Sequence, residues 1–174
     1  MVSEKIFARY IEQEISEAYH GTDYDSAVKI KETQKFLPSR DSNCFLGDGI
    51  YFFENSQGHA EDWAKNRKIN NYAILQARVL LGECLDLNNF EGKKAMRTMA
   101  MKLKLRGIRT INDAAVINAL AQWGNIDTVR ATYCQPDKKY LFEGSRFFDY
   151  TAQYLCVRKS NKISKIELIS SGVV

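Results

Sequence analysis

The sequence predicts an α+β fold in a single domain. Segments with strand character come early and late in the chain, and two consecutive helical segments lie between them, an order typical of α+β proteins. The 174 residues are 45% hydrophobic and 26% charged, a composition typical of one globular domain. A chain of this length buries enough surface to form a core without disulfides or a metal. We therefore treat residues 1–174 as one domain with a helical insertion at about 90–124.

The first half of the chain alternates between helical and extended patterns. Glu14–Thr22 ends in a glycine turn and is predicted to be a strand. Tyr72–Leu81 is the strongest strand pattern, and its apolar density favours a central position in a sheet. The remaining predicted elements are a helix over 4–13, a helix over 23–34 capped by Asp23 or Asp25, a loop over 37–48, a short aromatic strand over 49–53 and a helix over 56–67.

The second half begins with two predicted helices, over 90–107 and 111–123, whose apolar residues recur at helical spacing. Strand patterns then return and continue to the end of the chain. These predicted strands are Val129–Cys134, Lys139–Phe142, Gln153–Arg158 and Ile163–Ile169.

Composition excludes several classes of protein. The longest apolar run is far shorter than the roughly 20 residues of a membrane span, and the N-terminus has no apolar signal core. The four cysteines form no CxxC motif, and two histidines provide little for a zinc site. We expect a cytoplasmic protein with reduced thiols, no metal and no membrane association.

The charge distribution is uneven. The chain has 25 basic and 21 acidic residues, whereas residues 91–109 alone contain seven basic and one acidic residue. Such a segment is either a solvated helix face or a patch that attracts phosphate groups.

Two short motifs combine features that suit a nucleotide. The first is Tyr19-His20-Gly21-Thr22 at a strand end, and the second is Leu46-Gly47-Asp48-Gly49-Ile50-Tyr51-Phe52-Phe53. A glycine exposes its backbone to a ligand, a histidine bonds a sugar hydroxyl, and an aromatic ring stacks on a heteroaromatic one. Each motif alone is more often structural.

Together, and in this order, the motifs resemble ADP-ribosyltransferases of the diphtheria-toxin/poly(ADP-ribose) polymerase class, whose signature is His, Tyr and usually Glu on three core strands. The stretch LGDGIYFFE, followed by AEDWA, is most similar to small bacterial or phage toxin-like members. The resemblance covers roughly Glu14–Leu81 and Gln153–Ile169. It implies a split, mixed or antiparallel sheet with flanking helices, and NAD as co-substrate.

The resemblance also implies roles for individual residues. His20 would bond the adenosine ribose of NAD, and the backbone of Gly21 would hold the nicotinamide carboxamide, with Thr22 beside it. Tyr51 would stack on the nicotinamide ring, and Trp63 is the nearest candidate for its other face.

The third signature position departs from the family pattern. The strand TAQYLCVR places Gln153 where the family has Glu, and Glu143 in the preceding loop is the alternative acidic group. Cleavage of the nicotinamide–ribose bond develops positive charge on the ribose, which a carboxylate stabilises and a neutral amide does not. We therefore expect transfer of a single ADP-ribose, either to an acceptor that is itself nucleophilic or with Glu143 as the base.

Four basic residues are candidates for phosphate contacts. Arg40 and Arg146 suit the pyrophosphate or the acceptor, and Lys102 and Arg106 belong to the basic insertion. Tyr133, Tyr140 and Phe142 are candidates for stacking on a splayed base. We therefore expect a nucleic acid, RNA or DNA, as acceptor, with a protein acceptor as the alternative.

The leading function is thus a toxin-like NAD-dependent mono-ADP-ribosyltransferase, for which the family suggests an antitoxin partner. The alternatives are a protein-modifying transferase, an NAD glycohydrolase, RNA 2′-phosphotransferase chemistry and a non-catalytic sensor of NAD or ADP-ribose.

Overall fold

The computed structural model describes residues 10–41, 44–134 and 140–174. Within these residues the fold is α+β, the class that the sequence predicts, with one seven-stranded sheet and four α-helices. The elements in chain order are β1 (Glu14–Asp23), α1 (Tyr24–Thr33), β2 (Ile50–Glu54), α2 (Gln57–Asn66), β3 (Asn71–Leu80), β4 (Cys84–Asp86), α3 (Phe90–Leu105), α4 (Asp113–Gly124), β5 (Thr128–Cys134), β6 (Thr151–Val157) and β7 (Ile163–Val173).

The sheet is mixed, with the strand order β4-β5-β6-β2-β1-β3-β7. Strands β4 and β5 are parallel, and the other pairs are antiparallel. β3 pairs with strands on both sides, as its apolar pattern predicts, but it lies next to the edge strand β7 rather than at the centre.

Each face of the sheet carries its own hydrophobic core. Residues of α2, α3 and α4 pack with Phe53 and Tyr154 on one side, which we call the cavity face. On the opposite face, Ala27 of α1 packs with Phe52 and Leu155. Side chains alternate along a strand, so neighbours such as Phe52 and Phe53 belong to different cores.

Side-chain caps explain where most helices begin. Asp23, Ser56, Asn89 and Asn112 each accept a hydrogen bond from a backbone N–H in the first turn of the following helix. These residue types are the ones that satisfy the free N–H groups of a helix N-terminus, so the starts of α1 and α2 match the sequence prediction.

One predicted strand is wrong, and one observed strand was not predicted. The predicted strand Lys139–Phe142 is replaced by a single bridge between Tyr140 and Phe148, because a turn with Gly144 at φ 85° reverses the chain there. The three-residue strand β4 was not predicted, because it is too short to show alternation.

Parts of two other predicted segments lie at the limits of the described residues. Residues 10–13 of the predicted N-terminal helix form a turn, in which the Gln13 N–H donates to the Tyr10 carbonyl at 3.0 Å. Residues 4–9 of that helix, residues 42–43 of the predicted loop and Lys139 lie outside the described residues. Within the described part of the chain, no helix is long and apolar enough to cross a membrane.

Candidate functional site

The sheet opens between β1 and β2. These strands pair only at Ala18 with Glu54 and at Tyr19 with Phe53. Beyond that point β1 stays paired with β3 through Asp23, while the Ile50–Phe52 part of β2 stays paired with β6. The two strands therefore part where the first motif meets the second.

Backbone groups on both sides point into this opening. The Asn55 N–H donates to the Glu17 carbonyl at 2.8 Å, so Glu17 faces β2. Backbone polar groups of alternate residues face the same side of a strand. The N–H and C=O of Tyr19 and Gly21 therefore also point toward β2, and at Gly21 β2 has already moved away.

His20 spans the opening with its side chain. Its Nδ1 lies 2.7 Å from the carbonyl oxygen of Tyr51, and a carbonyl accepts only, so Nδ1 carries the proton and donates. Its ring contacts Phe36 and Phe52 at centroid distances of 5.1 Å and 5.7 Å. Burial lowers the pKa of His20, although the bond to Tyr51 opposes that shift. The neutral ring leaves Nε2 as an acceptor for another donor.

The hydroxyl of Tyr51 organises the loop before β2. It accepts from the Leu46 N–H at 2.9 Å and donates to the Gly47 carbonyl at 2.8 Å. Burial raises the pKa of Tyr51, so the phenol stays protonated and both bonds persist across the physiological range. The ring is thereby fixed at the wall of the opening.

A second set of contacts holds the same loop from α4. Asn118 accepts from the Asp48 N–H at 3.0 Å, and its amide donates to the Asp48 carboxylate at 3.2 Å. Arg158 donates to the same Asn118 oxygen at 2.9 Å. The loop that positions Tyr51 is therefore tied to both α4 and the end of β6.

A cavity of about 480 Å³ occupies the opening, a volume in the range of small-molecule and cofactor sites. Most of its wall is aromatic. The lining residues are His20, Gly21, Ser39, Asp41, Cys44, Phe45, Tyr51, Phe53, Trp63, Asn66, Arg67, Tyr133, Tyr150 and Tyr154.

The aromatic residues support one another. The Phe45 ring lies 5.0 Å from that of Tyr133 and 5.1 Å from that of Tyr154. The Tyr150 and Tyr154 hydroxyls lie 3.2 Å apart, and burial raises the pKa of both. The wall is therefore a neutral, planar surface suited to flat rings.

Four of the residues singled out by the sequence motifs meet at this cavity. They are His20, Gly21, Tyr51 and Trp63. Tyr133, a stacking candidate, also lies on the wall, whereas Thr22 does not and contacts Asp23 instead.

The other candidate residues lie elsewhere. Arg40, Glu143 and Arg146 are exposed and do not line the cavity. Lys102 and Arg106 lie beside Trp123 at the α3–α4 pair. The roles predicted for these five residues stay predictions, because none of the five lines the cavity.

Gln153 lies on β6 and does not line the cavity. Its neighbours Ala152 and Tyr154 belong to the core of the cavity face, and Leu155 belongs to the opposite core. Alternation places Gln153 on the side of Leu155, so the structure does not bring it to Tyr51.

Several lining residues were not predicted as functional. Asp41 is the one carboxylate among the described lining residues, and it lies in a loop that the sequence indicates only as irregular. Arg67 follows α2, with its guanidinium carbon 5.3 Å from the centre of the Trp63 ring. Its position as the last residue of the predicted helix gave no signal that it would line a cavity.

The structure gives Gly21 a steric role. A Cβ on Gly21 would lie 2.6 Å from the backbone oxygen of Ala60 on α2. We expect Gly21→Ala to lower the free energy of unfolding by about 1–3 kcal/mol, because the helix must shift. Urea unfolding curves measure this. The matched control is Gly58→Ala on α2, because a Cβ on Gly58 would meet no neighbouring atom within 4 Å. This variant should keep the wild-type free energy of unfolding. Equal losses in both variants would contradict the packing argument.

The lowered pKa of His20 also predicts a pH dependence. Because the folded pKa lies below the ordinary value of 6.5, the unfolded chain binds the proton first on acidification. The associated stability is fully present above pH 6.5 and is lost as pH falls through the folded pKa. Unfolding midpoints between pH 8 and 5 should therefore fall more steeply for the wild type than for His20→Asn. Parallel curves would exclude a lowered pKa for His20 in the folded protein.

No family model matches the chain. The chain is similar to the uncharacterized protein MJ0359 of Methanocaldococcus jannaschii, with 39% identity over an alignment of 144 residues. The alignment covers 70% of this chain, and the chain spans 66% of that relative's length. The name of the relative states no activity.

Proposed function

We propose that the cavity binds NAD and that the protein is a mono-ADP-ribosyltransferase, which transfers one ADP-ribose and releases nicotinamide. One observation carries the proposal. Strands β1 and β2 part at the two motifs, and His20 bridges them to Tyr51 at 2.7 Å beside an aromatic cavity. The opening supports the proposal, because the resemblance to ADP-ribosyltransferases implies a split sheet with the dinucleotide bound beside the two motifs.

The nicotinamide end of NAD suits the part of the cavity near Gly21. A primary carboxamide has one acceptor oxygen and an NH₂ donor. The Gly21 N–H and C=O, directed toward the space that β2 leaves, match this pair. Tyr51 and Trp63, both on the wall, supply flat faces for the pyridinium ring. A cationic ring favours such faces electrostatically.

The ribose and phosphate groups suit the rest of the site. With Nδ1 donating to Tyr51, Nε2 of His20 accepts from a ribose hydroxyl. Arg67 carries a guanidinium at the cavity, and its fork matches pyrophosphate oxygens. We therefore assign the pyrophosphate contact to Arg67 in preference to Arg40 and Arg146.

Cleavage of the glycosidic bond breaks the link between the ribose and the nicotinamide nitrogen. The electron pair leaves with nicotinamide, and positive charge develops on the ribose. Asp41 is the lining carboxylate able to stabilise that charge or to accept the proton of the incoming nucleophile. Glu143 or Gln153 would have to approach from outside the cavity to take this role.

One observation favours a second candidate, a non-catalytic sensor of NAD or ADP-ribose. Gln153, at the third signature position, is neutral and lies on the side of the opposite core. If Asp41 does not reach the ribose, the cavity would bind the dinucleotide without cleaving it. Water as acceptor would instead make the protein an NAD glycohydrolase.

The test is incubation of the purified protein with NAD labelled in the adenylate part, together with total RNA, single-stranded DNA or extract protein. Released nicotinamide and transferred label are measured for the wild type, Tyr51→Ala, Asp41→Asn and Gln153→Ala. Transfer that is lost in Tyr51→Ala supports the proposal. Nicotinamide release without label supports the glycohydrolase. Binding of NAD without release supports the sensor, and no binding contradicts all three.

A toxin-like role remains part of the proposal and is tested in cells. Expression of the wild type should slow growth, and expression of Tyr51→Ala should not. A harmless wild type would contradict the toxin reading and remove the reason to expect an antitoxin.

A further inference from the structure

We propose that the surface formed by α3, the segment that follows it and the end of α4 docks a single-stranded nucleic acid. We call this the basic surface; it comprises the exposed residues of 90–109 together with Trp123 and the partly buried Lys102. The inference deepens the proposed function, since the docked strand would be the acceptor of ADP-ribose. Docking itself does not require NAD chemistry and is measured separately.

The charge of the basic surface is concentrated and accessible. Residues 91–109 contain seven basic and one acidic residue. The basic side chains are exposed except Lys102, which is partly buried. α3 has 16 residues, so it is about 24 Å long at 1.5 Å per residue. Lys93, Arg97 and Lys104, spaced four and seven residues apart, lie along one stripe of α3, so they can contact several phosphates of one strand.

Aromatic rings lie among these cations. Trp123 is 55% exposed, and the Lys102 ammonium and the Arg106 guanidinium lie 4.7 Å and 5.5 Å from the centre of its ring. Phe90 is 67% exposed, with the Arg97 guanidinium 5.8 Å from its ring centre. Cations beside exposed rings are the combination that binds single strands, because bases stack and phosphates pair.

The packing of α3 favours a nucleic acid over a lipid surface. Its continuous apolar stripe, which includes Ala95, Met99 and Leu103, is buried in the core of the cavity face. An interfacial helix inserts such a stripe into the bilayer, but in this fold the stripe already packs against the protein core. Met101 and Leu105 are exposed, so vesicles are included in the test.

The basic surface lies on the same side of the sheet as the cavity. Residues of α3 and α4 belong to the core that also contains Phe53 and Tyr154. Asn118 of α4 bonds to Asp48, in the loop that holds Tyr51. Trp123 follows Asn118 by five residues, about 7.5 Å along the helix. A strand bound at Trp123 can therefore extend toward the cavity.

The test measures binding of fluorescein-labelled 20-nucleotide RNA and DNA single strands by anisotropy, without NAD, at two salt concentrations. The variants are Lys102→Glu/Arg106→Glu and Trp123→Ala. The matched control is Lys31→Glu/Lys35→Glu, which reverses two exposed charges at the end of α1, on the opposite face. Thermal unfolding of each variant verifies the fold, and vesicles with anionic lipid provide the competing ligand.

We expect the wild type and the control to bind with similar affinity. Lys102→Glu/Arg106→Glu should bind at least tenfold more weakly, with a smaller dependence on salt, and Trp123→Ala about tenfold more weakly. Equal binding by all three variants would show that the nucleic acid does not dock on the basic surface. Binding of vesicles but not of oligonucleotides by the wild type, or binding of neither, would overturn the inference. Oligonucleotide binding without transfer of the ADP-ribose label would support docking on the basic surface and would count against the proposed transferase activity.

Discussion

Arg130→Met is expected to lower the free energy of unfolding by about 3–5 kcal/mol, the usual cost of removing one partner from a buried ion pair. Arg130 on β5 donates to both carboxylate oxygens of Glu54 on β2, at 2.6 Å and 2.7 Å. The Glu54 side chain is only 2% exposed, and Asp86 lies 3.7 Å from the same guanidinium. Without Arg130, two buried carboxylates would face each other without a cation.

The ion pair also connects strands that are not neighbours. β6 lies between β2 and β5 in the sheet, and the Arg130–Glu54 contact crosses over it at Leu155, the partner of Arg130 in the ladder. The pair therefore ties the half of the sheet that carries the basic surface to the strand that carries Tyr51. Its loss should shift the urea midpoint of the whole domain in one transition.

The matched control is Arg78→Met. Arg78 contacts Glu14 at 3.3 Å, but both side chains are 43% exposed, and such pairs contribute about 0–1 kcal/mol. Urea unfolding of both variants, followed by circular dichroism, measures the difference. If the two substitutions lower the free energy of unfolding equally, the Arg130–Glu54 ion pair stabilises the fold no more than an exposed pair does.

His20→Asn is expected to reduce nicotinamide release by about 100-fold, the usual cost of a misplaced substrate, while the protein stays folded. The Asn amide nitrogen occupies the position of Nδ1, so the bond to the Tyr51 carbonyl can persist. The acceptor Nε2 is lost, and with it the contact that we assign to the ribose. The variant thus keeps the bond that links β1 to β2 and removes the contact that would hold the dinucleotide.

His59→Asn is the control for this change, because His59 of α2 bonds to Ser56, the N-cap of that helix, and does not line the cavity. It should retain at least half of the wild-type rate. Release kinetics with saturating NAD, together with NAD affinity from calorimetry, measure both variants. If His20→Asn releases nicotinamide at the wild-type rate, His20 does not contact NAD. Its role would then be limited to the bond with Tyr51.

The local sequence determined the elements that form the site. Capping residues and apolar spacing predict α1 and α2, and turn residues around Ile50–Phe53 predict β2. The two motifs could be recognised because their chemistry is contained in a few consecutive residues. The overall α+β class follows in the same way, since strand and helix periodicities are properties of short windows.

The pairing of the strands decided the rest. Whether Gln153 faces the cavity depends on register, and a shift of one residue reverses the face of every side chain. The Arg130–Glu54 pair joins residues 76 positions apart, and the wall position of Asp41 depends on how a loop packs against β2. Such contacts arise from long-range packing, which no local pattern encodes, so the sequence determined which chemical groups are present and the tertiary structure decided which of them meet.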